Sequence, residues 1–198
     1  MFANKSWQTY PVVVSSSITP DIAGLRALSH PVRLRMLGLL RTEGPATATT
    51  LARRLDLNTG ATSYHLRQLA QHGFIEEDAE RGNARDRWWR ASHEATRTDF
   101  RTQEQGAEDV EAYLATVAQL YGERLRVAVA EMAFVPEQWR TVGTLSDWEL
   151  RLTPAQADAL VQQLVRLVED TVDSDAEDAA PFAINLNAFL RPGQQWDA

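Results

Sequence analysis

The sequence predicts a mainly α protein with a small β component: a winged helix-turn-helix domain, a long dimerisation helix and a small C-terminal α+β module. Three observations lead there. Two short amphipathic helices joined by a tight turn fill Leu51 to Phe74, LARRLDLNTGATSYHLRQLAQHGF. A ribbon with a basic tip follows at once. An apolar stripe then recurs at steps of three and four from Glu104 to Phe134, longer than a lone small domain covers.

The elements follow in order. Residues 1–20 lack helical periodicity and read as an N-terminal tail, although Val12-Val13-Val14 suits a strand added to a sheet elsewhere. Thr19-Pro20-Asp21 opens a first helix, with proline at an early position and Leu25 and Leu28 on one face. His30-Pro31 ends it. A second, more apolar helix runs from Pro31 to Gly44-Pro45 and serves as scaffold. The first helix of the helix-turn-helix spans Thr49 to Leu55, with Leu51, Ala52 and Leu55 inward and Arg53 and Arg54 outward. Asp56-Leu57-Asn58 breaks it. Thr59 is the expected cap of the next helix, which continues to about His72, with Gly73 in the left-handed terminating position.

That second helix carries the chemistry. Thr62, Leu66 and Leu69 share an apolar side, while Tyr64, Arg67, Gln68 and Gln71, flanked by Ser63, form a polar face of medium-length, mostly uncharged groups. Such groups match base edges in a major groove, where Arg donates twice to guanine and Gln both donates to and accepts from adenine. Ser63, Tyr64, Arg67 and Gln68 are the expected base readers. The ribbon comprises Phe74 to Asp78, a turn at Arg81-Gly82-Asn83, and Asp86 to Ala91. Arg81, Arg85 and Arg87 cluster at its tip, beside the expected recognition helix, as a wing would. Together with Arg53, Arg54 and Gln71 they are the expected phosphate contacts.

Three motifs in order carry a resemblance. Leu28-Ser29-His30-Pro31-Val32-Arg33-Leu34-Arg35-Met36-Leu37, Ser63-Tyr64-His65-Leu66-Arg67-Gln68-Leu69 and Gly73-Phe74-Ile75 resemble the signatures of the ArsR family of bacterial winged-helix transcriptional regulators. The likeness covers residues 21–92. It implies a DNA-binding domain there and helices that pair across a two-fold axis. The family is associated with metal sensing, and here the sequence departs from it. Ala46-Thr47-Ala48-Thr49-Thr50 stands where its cysteine-based site would lie, and no histidine follows His93 to build a site on the dimer helix. With no cysteine at all and His30, His65, His72 and His93 scattered, no metal and no cofactor are expected. His30 and His65 read as structural.

In the helix over 104–135, Val110, Leu114, Val117, Tyr121, Leu125 and Met132 are the expected dimer contacts, and two-fold pairing suits a palindromic operator. Residues 145–190 read as strand, helix and strand: Trp148 to Leu152 alternates, Thr153-Pro154-Ala155-Gln156 is a capping box, the helix runs through Val172, and Phe182 to Phe189 closes the module after the acidic connector Glu169 to Asp178. Two strands are too few for independent stability, so Val12 to Val14 or a dimer mate is expected to supply a third. Phe134, Trp139, Trp148, Phe182 and Phe189 are candidates for a pocket taking a small organic effector, or simply for a small core.

The whole-chain charge of −7 conceals an asymmetry, since Asp21 to Thr98 holds twelve arginines against nine acids and is net positive. No run of 18 apolar residues and no basic-apolar leader is present, so a cytoplasmic protein is expected, without a membrane partner. Phosphate-loop, nucleophile-elbow and dinucleotide fingerprints are missing, so no enzyme is expected. The reading is a homodimeric repressor that binds double-stranded DNA at an inverted repeat. The alternative is a winged-helix adaptor that binds a protein partner without reading DNA.

Overall fold

The computed structural model describes residues 17–81, 86–97 and 107–193, which fall into two compact units divided at Val142. The expected strand at Val12–Val14 lies outside the described residues.

In the first unit each helix begins on a local cap. Helix α1, Ile22–Leu28, starts at Asp21, whose carboxylate accepts from Gly24 N–H at 2.7 Å, so Pro20 stands before the cap and not inside the helix. Helix α2, Pro31–Thr42, is capped by His30: its Nδ1 accepts from Val32 N–H at 3.2 Å. The first helix of the helix-turn-helix, α3 (Ala48–Leu55), follows with the Thr47 hydroxyl accepting from Thr50 N–H. Its end turns at Asp56, in the left-handed region at φ 54°, which a short polar side chain tolerates better than most. The second, α4, spans Thr59–Gln71 and is capped by Asn58, which accepts from Ala61 N–H at 2.8 Å. The expected cap, Thr59, is already the first helical residue, and Asn58 holds the extended geometry that a cap needs. Gly73, at φ +72°, closes α4 with Phe74 N–H donating to Leu69 O and Gly73 N–H to Ala70 O. These two bonds satisfy carbonyls that the helix end would otherwise leave open.

Strands β2 (Ala46–Thr47), β3 (Ile75–Glu77) and β4 (Trp88–Ala91) make an antiparallel sheet in the order β2-β4-β3, and β3 with β4 form the expected wing. A short parallel pair joins β1 (Ser17–Ile18) to β5 (Ala95–Thr96). One core ties these elements together: Leu28, Met36, Leu37, Leu66, Leu69, Phe74 and Ile75 are almost wholly buried. Thr62 is buried among them without polar cost, because its hydroxyl donates to Asn58 O at 3.0 Å.

Helix α5, Ala107–Glu131, continues as a 3-10 turn through Phe134, and a short helix α6 covers Glu137–Arg140. Its first half belongs to the winged domain. Val110 and Tyr113 are buried in the same core, and Leu114, Val117 and Leu120 pack against it. Arg26 makes a two-pronged contact with Asp109 at 2.7 and 2.9 Å, Thr116 donates to Ser29 O, and Arg35 meets Glu123 at 2.7 Å. Of the residues expected at a dimer contact, Val110 is thus buried within the unit, while Leu114 and Val117 are only partly covered by it. Leu125, Val127, Val129 and Met132, farther along, stay exposed.

In the second unit, α7 (Pro154–Glu169) has the expected capping box, with Thr153 and Gln156 bonding each other's backbone. It is the only regular element among the described residues there. Among the described residues the strands expected at Trp148–Leu152 and Phe182–Phe189 are not found: alternation supplies one apolar face, but a strand also requires a neighbour for its backbone groups, and none of the described residues pairs with either segment. Arg191 contacts Glu149 at 3.3 Å, linking the two segments at the surface.

Candidate nucleic-acid interface

Helix α4 turns Thr62, Leu66 and Leu69 into the core, and the opposite side must therefore face solvent. Tyr64 is 54% exposed. Arg67 and Gln71 are also exposed, and Ser63 and Gln68 are half-buried at the flank. Arg67 Nε donates to Ser63 O at 3.1 Å, which leans the guanidinium back along the helix. Gln68 and Gln71 form a loose amide pair at 3.4 Å, which a base edge can displace at small cost. The four expected base readers and Gln71 thus share one surface, with no ion pair among them.

His65 is placed elsewhere. Its ring packs on His30 at 4.5 Å between centroids and meets Tyr64 edge-on, so it supports the face from behind. Its Nδ1 is buried without a hydrogen-bond partner among the described residues. Burial, then Arg33 for His30 and His30 with Arg33 for His65, pushes both imidazoles below the usual histidine range. Both rings are consequently favoured neutral, and His30 must be unprotonated at Nδ1 to cap α2. This link between the α2 cap and the recognition helix escaped sequence reasoning, because residues 35 apart carry no periodic signal.

The arginines divide. Arg53, exposed on α3, has no ion-pair partner among the described residues. Arg54 meets Glu43 at 3.0 Å. On the wing, Arg87 meets Glu77 at 3.2 Å and lies over the Trp89 ring, Arg90 meets Glu76 at 2.7 Å, and Arg81 sits 3.7 Å from Asp78 and over Trp88. Arg85 lies outside the described residues. The wing is thus a ribbon of crossed charges, with the carboxylates of β3 facing the guanidiniums of β4, as the Glu76 to Arg90 register requires. This pairing was readable in principle from the hairpin register. Counting only the tip arginines missed it.

The aromatic residues expected to line an effector pocket are divided between the two units. Phe134 and Trp139 belong to the first unit, and Trp148, Phe182 and Phe189 to the second. Phe134, Trp148 and Phe189 are each more than three-quarters exposed, and Phe182 more than half.

Among solved structures, the chain is similar to a transcriptional regulator homologue from Pyrococcus horikoshii OT3, at 21% identity over 52% of this chain and 91% of that one, with a TM-score of 0.31. Lactococcus lactis ZitR, a mutant in apo form, gives 13% identity over 72% and 83%, TM-score 0.32. YusO from Bacillus subtilis gives 15% over 73% and 82%, TM-score 0.31. No curated protein matches the chain. The match that carries weight is local: residues 28–78, from the end of α1 to the first wing strand, correspond to a helix-turn-helix domain family.

Proposed function

We propose that the protein is a sequence-specific, DNA-binding transcriptional regulator that acts as a homodimeric repressor on an inverted repeat and does not respond to metal. The observation that carries this reading is the polar, ion-pair-free face of α4, Ser63, Tyr64, Arg67, Gln68 and Gln71, presented by a helix-turn-helix domain whose apolar side is fully buried. Arg53 and Arg54 on α3, Gln71, and the wing arginines would hold phosphates. Arg54, Arg81 and Arg87 must first exchange an intramolecular carboxylate for a phosphate oxygen. The second copy would dock on the exposed far half of α5, Leu125, Val127, Val129 and Met132, with Tyr121 at its margin. The ArsR likeness supports two-fold pairing, and half-sites would then lie on the order of 10 base pairs apart.

Selection of genomic fragments by the purified chain at near-physiological salt, followed by footprinting, tests the reading. A protected inverted repeat is expected. Weak, salt-labile, sequence-independent binding would sink it and leave the adaptor reading, which the internal pairing of the wing charges favours.

A further inference from the structure

None of the described residues from Gly143 to Gly193 is buried. Trp148, Leu150, Phe182, Ile184 and Leu190 are each more than half exposed, as is Leu167 of α7. Their apolar surface, with that of Leu164 and Val168, is of the same order as the roughly 800 Å² that each partner gives to a standard protein interface. A chain that stays alone in water rarely keeps so much apolar surface open.

Phe182–Leu190, FAINLNAFL, is the longest part of that surface. No charge, proline or glycine interrupts it, so it carries none of the devices that keep an open strand edge from pairing. Its backbone has no strand partner among the described residues. Its residue order is also close to self-complementary. Laid antiparallel to its own copy with Leu186 on a two-fold axis, the segment sets Asn185 opposite Asn187, Ile184 opposite Ala188 and Phe182 opposite Leu190. Every second residue from Phe182 to Leu190 then falls on one face, wholly apolar in both copies. The asparagines and Phe189 fall on the other, toward water. Trp148–Leu152 obeys the same rule: centred on Leu150, it sets Glu149 opposite Arg151. The run Val12–Val14 is a weaker cover, because three residues make a strand of only about 10 Å and leave most of Phe182–Leu190 unpaired.

We propose that the second unit is an interface for a second copy of this chain: Phe182–Leu190 pairs antiparallel with itself about a two-fold axis at Leu186, and α7 of each copy covers the apolar face of the ribbon. A two-stranded ribbon packed on helices gains the cover that neither strand has alone. The inference goes beyond the contact on α5 and does not depend on DNA binding. It makes the second unit complete only in the dimer, so the order of α7 and the association of two chains are coupled.

The test uses the full chain without DNA, so that its failure and the failure of the operator reading stay distinct. The sequence has no cysteine, and a thiol introduced at one position therefore reports that position alone. In Leu186→Cys the two thiols would face each other across the axis, with Cα atoms about 4.5–5.5 Å apart, inside the range that a disulfide spans. Under mild oxidation this variant is expected to form a covalent dimer about tenfold faster, or more, than Ser174→Cys in the acidic connector, because pairing raises the local thiol concentration. Leu186→Lys and Leu186→Asp should each weaken self-association in sedimentation equilibrium by about tenfold, since like charges would meet at the axis, and an equimolar mixture should recover it. Equal cross-linking rates at the two positions, or unchanged self-association in both charged variants, would overturn the proposal; a chain that still sedimented as a dimer would then leave the α5 contact standing. A disulfide that closed within one chain of Val13→Cys/Leu186→Cys, in preference to one between chains, would give the face to residues 1–14 and overturn it as well.

Discussion

Helices α4 and α7 begin alike and end in opposite circumstances. Each starts on a side-chain cap, Asn58 and Thr153, and each repeats its apolar residues at helical spacing. In α4 those residues are sealed: Leu66 and Leu69 have 0% exposure. In α7 no residue is buried, and Leu160, Leu164, Leu167 and Val168 remain in contact with water. The difference shows that amphipathicity states what a helix requires, while the rest of the unit decides whether the requirement is met. Around α4 stand α1, α2, α3 and the first wing strand. Around α7 the described residues of its unit offer extended chain without strand pairing.

The comparison breaks most directly at two phenylalanines. Phe74→Ala, in the core, should cost about 3–5 kcal/mol in urea unfolding, whereas Phe189→Ala should stay within about 0.5 kcal/mol. A cost at Phe189 approaching that at Phe74 would show that the second unit is covered in solution. Next in size is function without stability: Arg67→Ala should weaken specific DNA binding by roughly 1–3 kcal/mol and leave the unfolding midpoint in place. Equal losses on specific and nonspecific DNA would make Arg67 a phosphate contact. Cap removal sharpens the contrast further. Asn58→Ala should lower global stability by about 1 kcal/mol, while Thr153→Ala should reduce the helical circular dichroism signal without moving the main transition.

The smallest expected effect is on pH. His30 and His65 have folded pKa values below the unfolded one, so neutral rings favour the fold. Their contribution is complete above about pH 6.5 and is lost as pH falls from there through the folded values. Unfolding at stepped pH should show stability declining over that window, with a shallower decline in His65→Gln. An unchanged slope in the variant would remove His65 from the account. The second unit has no histidine and should contribute nothing there.

Local chemistry was largely legible in the sequence. The helix-turn-helix, the Gly73 terminator, the Thr153 capping box and the inward face of α4 all follow from interactions between residues a few positions apart. The expected cap of α4 missed by one residue, since Thr59 and Asn58 are both good capping types and only the backbone separates them. What could not be read was how far each apolar surface would find a partner. Val110, Leu114 and Val117 form one stripe with Leu125 and Met132, yet the winged domain buries Val110, partly covers Leu114 and Val117, and leaves the rest open. Alternation at Trp148–Leu152 and Phe182–Phe189 likewise says nothing about whether a neighbouring strand exists. In the candidate interface, the exposed residues of α4 were identifiable by exclusion from the apolar side. The cross-strand partners of the wing arginines and the stacking of His30 on His65 depend on register and on contacts distant in the chain.

The crossed charges of the wing bear on how the protein would travel. A strongly cationic wing lingers on any duplex and drags along it, whereas guanidiniums already occupied by Glu76, Glu77 and Asp78 offer little grip until a fitted site draws them away. Encounters with unrelated DNA should then be brief and frequent, a search by hopping with short slides. Charge-neutral replacement of Glu77 should lengthen the dwell time on random sequence in single-molecule tracking, and a dwell time that did not change would mean the ribbon stands clear of the duplex.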